Sequence, residues 1–322
     1  MADDRPTLAL GHSPDPDDVF MWWPITGMLD PAEPSVVMRP PAMETGRFRY
    51  RGVPADISVL NRRAEERGDL EITALSMHTY ARVHGRYVLT ACGASMGYGY
   101  GPKVVVREDS RLTAENFIEM LAGEKGGGRR VAVPGMGTTA SLVFGLMVGG
   151  RGMQRLRAVE LPFDRIVEAV RSGEADAGLL IHQSQLTYAE AGLREVADVG
   201  AWWEMATGLP LPLGGNAVRR DLDEMYGEGT CREVTRVLEE SIRYALSHRE
   251  ESIRYAMRWA PELSLARAER YIDMYVNALT VDMGEEGERA IRRLLAEGAR
   301  AGLCPEVGEV EVLRGGGVGD GQ

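Results

Sequence analysis

Five histidines, three scattered cysteines and one loop with three aspartates are the side chains here best suited to moving protons or gripping a ligand. His182 stands out by position. It follows Ala177–Ile181, a short unbroken apolar run of the kind that forms a parallel strand buried on both faces. Polar Gln183, Ser184 and Gln185 come directly after it. In an open α/β sheet, ligands sit at the carboxyl ends of strands, where loops present polar groups. An imidazole there could take a proton near neutral pH. The plainer alternative is a core histidine bonded to a backbone carbonyl.

A second candidate lies at Pro134-Gly135-Met136-Gly137, a tight turn leading into Thr138 and Thr139. A threonine at a helix start caps it. Free backbone N–H groups and the positive dipole end there favour an anion. The third is Ser13–Asp18, SPDPDD, after a first short strand Thr7–Leu10. Its aspartates invite a calcium reading, but there is no glycine turn or terminal glutamate at EF-hand spacing, so no metal is expected. Asp18 could cap the following helix, and Ser13 is the better ligand contact. His12 is a weaker proton-transfer candidate, whereas His78, His84 and His248 read as structural or solvated. Trp202 and Trp203 are wall or core, with stacking on a flat substrate as the alternative. Gly97–Gly101, GYGYG, lacks the dinucleotide-binding spacing.

These residues need elements to hold them. Strands are expected at Glu71–Leu75 (ending at Ser76), Tyr87–Cys92, Lys103–Arg107, Arg130–Val133, Val159–Leu161, Ala177–Ile181 and Leu211–Arg219. Helices are expected at Val19–Leu29 (ended or kinked by Pro24), Ala55–Arg67, Thr113–Leu121, Thr138 to about Val148, and Arg165–Ser172. Gly123–Arg130, GEKGGGRR, reads as a flexible turn, and the final GGGVGDGQ as a frayed tail. From Asp221 to Leu303 the chain is helical, with an apolar stripe of Val234, Val237, Leu238, Ser241 and Ala245, a cap at Ser264 and a closing helix Glu285–Ala301. Leu211–Arg219 is expected to pair with Lys103–Arg107 as the second of two linker strands.

At 322 residues, 44% hydrophobic and 26% charged, the chain is globular and long enough for two domains. A chain that leaves one domain, builds a second and crosses back predicts an α/β, two-lobe type II periplasmic-binding-protein-like fold with a ligand cleft between lobes. Residues 1–103 and 216–322 form the first lobe, with the C-terminal helices; residues 104–215 form the second. A net charge of −11 without a long basic run disfavours nucleic acid. An anionic substrate stays open, because local dipoles in a pocket outweigh a global balance. Cys92, Cys231 and Cys304 are far apart and odd in number, so neither zinc nor a disulfide framework is implied. No run approaches the length of a membrane span and no apolar signal core is seen, which reads as cytoplasmic. The oligomeric state is not legible.

Read together, SPDPDDVF (13–20), Ala74-Leu75-Ser76, VAVPG (131–135) with Thr138-Thr139, LIHQS (180–184), AWWE (201–204), TGLPLPLG (207–214) and YVNA (275–278) resemble the 1,4-dihydroxy-6-naphthoate synthase family of the futalosine route to menaquinone. The resemblance runs from about Leu8 to Leu303. It implies a lyase without metal or organic cofactor that converts cyclic de-hypoxanthine futalosine to 1,4-dihydroxy-6-naphthoate, releasing a three-carbon fragment (dihydroxyacetone). It further implies His182 as proton acceptor and substrate contacts at Ala74, Leu75, Ser76, Thr138 and Thr139, with Ser13 added from its strand-end position. The family loop is usually Ser-Pro-Cys-Pro-Asn-Asp-Thr-Phe; here Asp15, Asp17 and Val19 depart from it, and Ala74 stands where lysine is usual. The alternatives are a solute-binding protein of the same fold, since fold does not decide function, and the sister enzyme chorismate dehydratase.

Overall fold

The computed structural model describes residues 4–122 and 128–316. Two sheets organise it. The larger has seven strands: Val312–Leu313, Tyr87–Thr90, Leu211–Arg219, Ile72–Ser76, Thr7–His12 and Arg49–Pro54 in spatial order, with Ser95–Gly97 also paired to Leu211–Arg219. The smaller has five: Arg157–Glu160, Arg130–Val133, Ala177–Leu180, Lys103–Arg107 and Leu193–Asp198. A two-stranded ribbon, Met28–Leu29 with Val37–Arg39, stands apart.

Both sheets are mixed. The strand–helix alternation makes the other pairs of the two sheets parallel, while Lys103–Arg107 and Leu211–Arg219 run antiparallel to all their partners. These two do not pair with each other, contrary to the sequence expectation. Lys103–Arg107 is taken on one edge by Gly178–Leu180 and on the other by Leu193–Asp198, so its backbone groups are already satisfied. Leu211–Arg219 is taken by Ile72–Ser76 on one side. On the other it meets Tyr87–Leu89 and Ser95–Gly97. The register sets Gly214 opposite Ser76 and Asn216 opposite Ala74.

The first helix, Pro16–Thr26, begins three residues before the expected Val19, because Pro16 suits the first helical turn where an N–H has no partner anyway. Pro24 sits inside it, and the helix ends two residues later at Thr26, followed by Gly27, whose φ is +81°. The whole helix is buried, clasped by Thr230–Ser247 and Arg249–Ala256. Trp23 packs edge-on against Tyr244 and donates from Nε1 to Ser252 Oγ at 2.9 Å. Val234, Val237, Leu238, Ser241 and Ala245 are buried as their spacing predicted, and Ser264 caps the next helix. The expected helix at Thr113–Leu121 is shorter, Phe117–Ala122. Of the turn 123–130, residues 123–127 lie outside the described residues, as do 317–322 of the tail.

The largest apolar cluster joins the two sheets: Leu75, Met77 and Leu89 share it with Val104, Val131 and Phe144, and with Ile291 and Leu294 of the helix Gly284–Arg300. At one crossing the backbones touch. A Cβ on Gly200 would lie 2.1 Å from the Tyr100 carbonyl oxygen, and one on Gly101 would lie 2.8 Å from the Gly200 Cα. Among the described residues no helix is long and apolar enough to cross a membrane.

Candidate active site

One cleft collects every site residue expected from the sequence: Ser13, Ala74, Leu75, Ser76, Thr138, Thr139 and His182. Ser13 follows the strand Thr7–His12, and Ser76 ends the strand Ile72–Ser76, both in the larger sheet. Thr138 and Thr139 follow Arg130–Val133 and His182 follows Ala177–Leu180, both in the smaller. The carboxyl ends of four strands from two sheets thus converge on one cavity, the usual place for ligands in α/β proteins.

His182 occupies the turn between its strand and a short helix, Ser184–Thr187. Among the described residues it is the one non-glycine with positive φ, +56°. Such a conformation costs on the order of 1–3 kcal/mol and is held by its surroundings. Here Ser184 Oγ donates back to Ile181 O, and Gln185 N–H donates to His182 O at 3.2 Å. The Phe163 ring meets the imidazole edge-on at 4.8 Å between centroids.

The imidazole Nδ1 lies 2.7 Å from Asp15 Oδ2. Burial pulls the ring's pKa down. The Asp15 carboxylate outweighs that by charge and hydrogen bond, with help from Asp17 and Asp56, and lifts it from 6.5 to about 9. Nε2 has no protein partner among the described residues.

Asp15 stands at the N-cap of the helix Pro16–Thr26 yet makes no capping bond, because its side chain is turned to His182. Asp18 holds the loop instead, accepting from Ser13 N–H at 2.7 Å, while Ser13 Oγ accepts from Asp15 N–H at 3.2 Å. Asp15 and Asp18 are thus directed to different partners, and among the described residues no group of three ligating side chains could hold a metal ion. Burial first, then Asp18 and Asp15, hold Asp17 well above the usual carboxyl range, against the opposite pull of His182.

Thr138 caps the helix Thr139–Met147. Its hydroxyl accepts from Ser141 N–H at 3.2 Å and donates to Gly135 O at 2.7 Å, so its hydrogen is already engaged within the protein. Thr139 differs. Its Oγ1 accepts from Met77 N–H at 2.8 Å, so its own O–H remains to donate. Its backbone N–H and that of Ala140 begin the helix without intrahelical acceptors. Asn61 clamps Ser76, accepting from its N–H and donating to its Oγ, both at 3.0 Å. The Ser76 hydroxyl hydrogen is likewise left over.

Sequence reasoning missed several lining groups: Asp15 as a partner of His182, the phenols Tyr271 and Tyr275, and Asn216. Asn216 is buried and donates to Gly93 O at 3.0 Å, while its Oδ1 has no partner. Gly93, at φ +78°, permits this approach, since a Cβ there would lie 2.2 Å from Asn216 Nδ2. The available signals were the prolines bracketing Asp15 and the tyrosine pair four residues apart. Trp202 and Trp203 do not line the cleft, and Trp203 is buried with Nε1 donating to Pro210 O at 3.1 Å. His12 is buried with Nδ1 on Ser13 O, and burial lowers its pKa. His78 bonds Leu303 O, His84 bonds Ala81 O, and His248 stacks on Tyr244. None of the four is among the residues lining the cleft.

A family model described as Menaquinone biosynthesis matches residues 8–300. The chain is 41% identical over 298 residues to a 1,4-dihydroxy-6-naphthoate synthase of Thermus thermophilus, covering 92% of this chain and 96% of the relative. It is 36% identical over 308 residues to a protein of the same name from Streptomyces coelicolor, covering 94% and 96%. A crystal structure of an Archaeoglobus fulgidus protein superposes with TM-score 0.76 at 38% identity, covering 92% of this chain and 98% of that one. An alkanesulfonate-binding protein from Xanthomonas axonopodis superposes with TM-score 0.64 at 14% identity, covering 96% and 98%, which establishes the periplasmic-binding-protein-like fold. With the fold, the cleft and nearly the whole length in agreement, this chain belongs to the menaquinone-biosynthesis family.

Proposed function

We propose that the protein is a 1,4-dihydroxy-6-naphthoate synthase, a carbon–carbon lyase that converts cyclic de-hypoxanthine futalosine to the dihydroxynaphthoate with release of dihydroxyacetone. The observation that carries this reading is the unpartnered Nε2 of His182 in a cleft whose opposite sheet supplies the partner for Nδ1. In this reading Nε2 takes a proton from the sugar-derived part of the substrate. The electron pair left behind drives the carbon–carbon cleavage, and the gain of an aromatic ring favours it. A positioned general base contributes about 10²–10⁴-fold to such a step.

The substrate's carboxylate docks at the Thr139 hydroxyl and the N–H groups of Thr139 and Ala140, where the dipole of the helix Thr139–Met147 favours negative charge. Among the described residues no lysine or arginine lines the cleft, which leaves these donors to meet the carboxylate in this reading. Ser13, Ser76, Asn216 Oδ1 and Asp17 are left for the hydroxyl groups at the other end. The reading places the protein in the cytoplasm as a lyase with a small anionic substrate. Incubating the purified protein with cyclic de-hypoxanthine futalosine, and following the naphthoate by absorbance and mass, tests it. Tight binding without product would identify a solute-binding protein instead.

A further inference from the structure

We propose that Asp15 is a positioning residue for His182, reaching across the cleft from the other sheet so that the proton-transfer site is complete only when both halves meet. The inference rests on His182 being the base, as read above. Three observations carry it. Asp15 Oδ2 lies 2.7 Å from His182 Nδ1, and Asp15 is buried, 4% exposed. Its residue sits at a helix N-cap, where an aspartate ordinarily bonds the first-turn N–H groups, yet it makes no such bond. His182 is held in a left-handed backbone conformation that presents the ring to this partner.

An acceptor on Nδ1 fixes the tautomer. The neutral ring then carries its hydrogen on Nδ1 and its lone pair on Nε2. When the substrate's C–H proton moves to Nε2, the electron pair stays on the substrate carbon and the ring becomes imidazolium. Asp15 pairs with that new charge, as the aspartate of a hydrolase triad does. The other groups facing the ring are Asp17 on the same loop, Asp56 at the start of the helix Ile57–Glu66, and the uncharged Phe163. Among the described residues Asp15 alone makes contact with Nδ1.

The test uses the wild-type protein, Asp15→Asn and Asp15→Glu, with two readouts. The first is ¹⁵N NMR of His182 across pH and needs no substrate. The second is the pH profile of kcat and KM on cyclic de-hypoxanthine futalosine. We expect Nδ1–H in the neutral wild-type ring and titration near 9. In Asp15→Asn the titration should fall by at least one pH unit. Its high-pH plateau in kcat should drop on the order of 10²–10⁴-fold with KM within about threefold. Asp15→Glu should restore the titration toward the wild-type value and part of the rate.

An Nε2–H tautomer in the neutral wild type overturns the proposal. So does an Asp15→Asn titration within 0.3 pH unit of wild type, or a shifted titration with a plateau within about twofold. Should Asp15→Asn fail to fold, the wild-type tautomer and the Asp15→Glu profile decide. If the wild type forms no naphthoate at all, the functional reading fails, while the NMR titration still decides whether Asp15 governs His182.

Discussion

At the scale of residues, the chemistry comes down to one imidazole and what surrounds it. His182→Ala should cut kcat by at least 10²-fold while substrate still binds, measured by turnover and by calorimetry with the uncleaved substrate. A variant keeping more than about a tenth of the rate would show that another group takes the proton. The raised pKa adds a sharper expectation. Near neutral pH most molecules hold His182 as imidazolium, which cannot accept a proton. So kcat/KM should climb about tenfold per pH unit and level off near 9. A profile flat from pH 6 to 8 that falls above 9 would make His182 the acid rather than the base.

The same pKa has a stability consequence. A group whose folded pKa lies above its unfolded value stabilises the fold fully below the unfolded value. That contribution is lost as pH rises through the folded one. For His182 the window runs from about 6.5 to about 9, and the shift corresponds to at most roughly 3 kcal/mol. Urea unfolding of wild type and His182→Ala at pH 6 and pH 9.5 should show the difference between the two proteins changing across that window.

At the scale of elements, the helix Thr139–Met147 has two threonines at its start with different work. Thr138 is bound up in capping, so Thr138→Ala should cost about 1–2 kcal/mol of stability and affect catalysis only through fraying of the helix start. Thr139 both accepts from Met77 N–H and presents its own hydrogen to the cleft. Thr139→Val removes both, so it should raise KM and also cost about 1–3 kcal/mol for the stranded Met77 N–H. Thr139→Ser should restore both. A substrate analogue lacking the carboxylate should bind weakly and be indifferent to Thr139→Val. Equal sensitivity of both ligands would place the carboxylate elsewhere. KM values and thermal melts on the four proteins separate these outcomes.

At the scale of the whole molecule, polar bridges span the cleft, among them Asp15 to His182, Met77 N–H to Thr139 Oγ1, Thr79 Oγ1 to Gly137 O at 3.1 Å and Gln185 Nε2 to the Tyr275 hydroxyl at 3.3 Å. A substrate touching both sides adds to them and favours the closed arrangement by its differential contacts. Of the two crossings expected to act as hinges, Gly214–Asn216 is held in the sheet opposite Ser76–Ala74, so the rotation such a closure needs would fall to Gly101–Lys103. The two sheets share one apolar cluster, so the closure expected here is a pivot about it rather than a separation. Small-angle scattering should show a smaller radius of gyration with a bound product analogue than without. Equal radii would mean a preformed pocket. Gly200→Ala probes the pivot, since its Cβ would lie 2.1 Å from Tyr100 O and the crossing must shift. A loss of stability of about 1–3 kcal/mol or more is expected in thermal or urea unfolding.

Much of this was legible from local pattern. Apolar runs with turn residues between them placed the strands Lys103–Arg107, Arg130–Val133 and Leu211–Arg219 at the residues where they lie, because burial on both faces demands such runs. The cap at Thr138 and the strand-end positions of Ser76 and His182 followed in the same way, since each depends on its own few neighbours. What local pattern could not supply was pairing. Leu211–Arg219 and Lys103–Arg107 both read as extended segments, and only the assembled sheets decide which backbone groups are already taken. Nor could it say where Asp15 points. In the sequence Asp15 is one of three aspartates beside two prolines, 167 positions from His182. The fold alone brings its carboxylate to Nδ1 and leaves Asp18 to hold the loop. A side chain's helix or strand is set by residues a few positions away; its hydrogen-bond partner is set by whatever the chain folds against it.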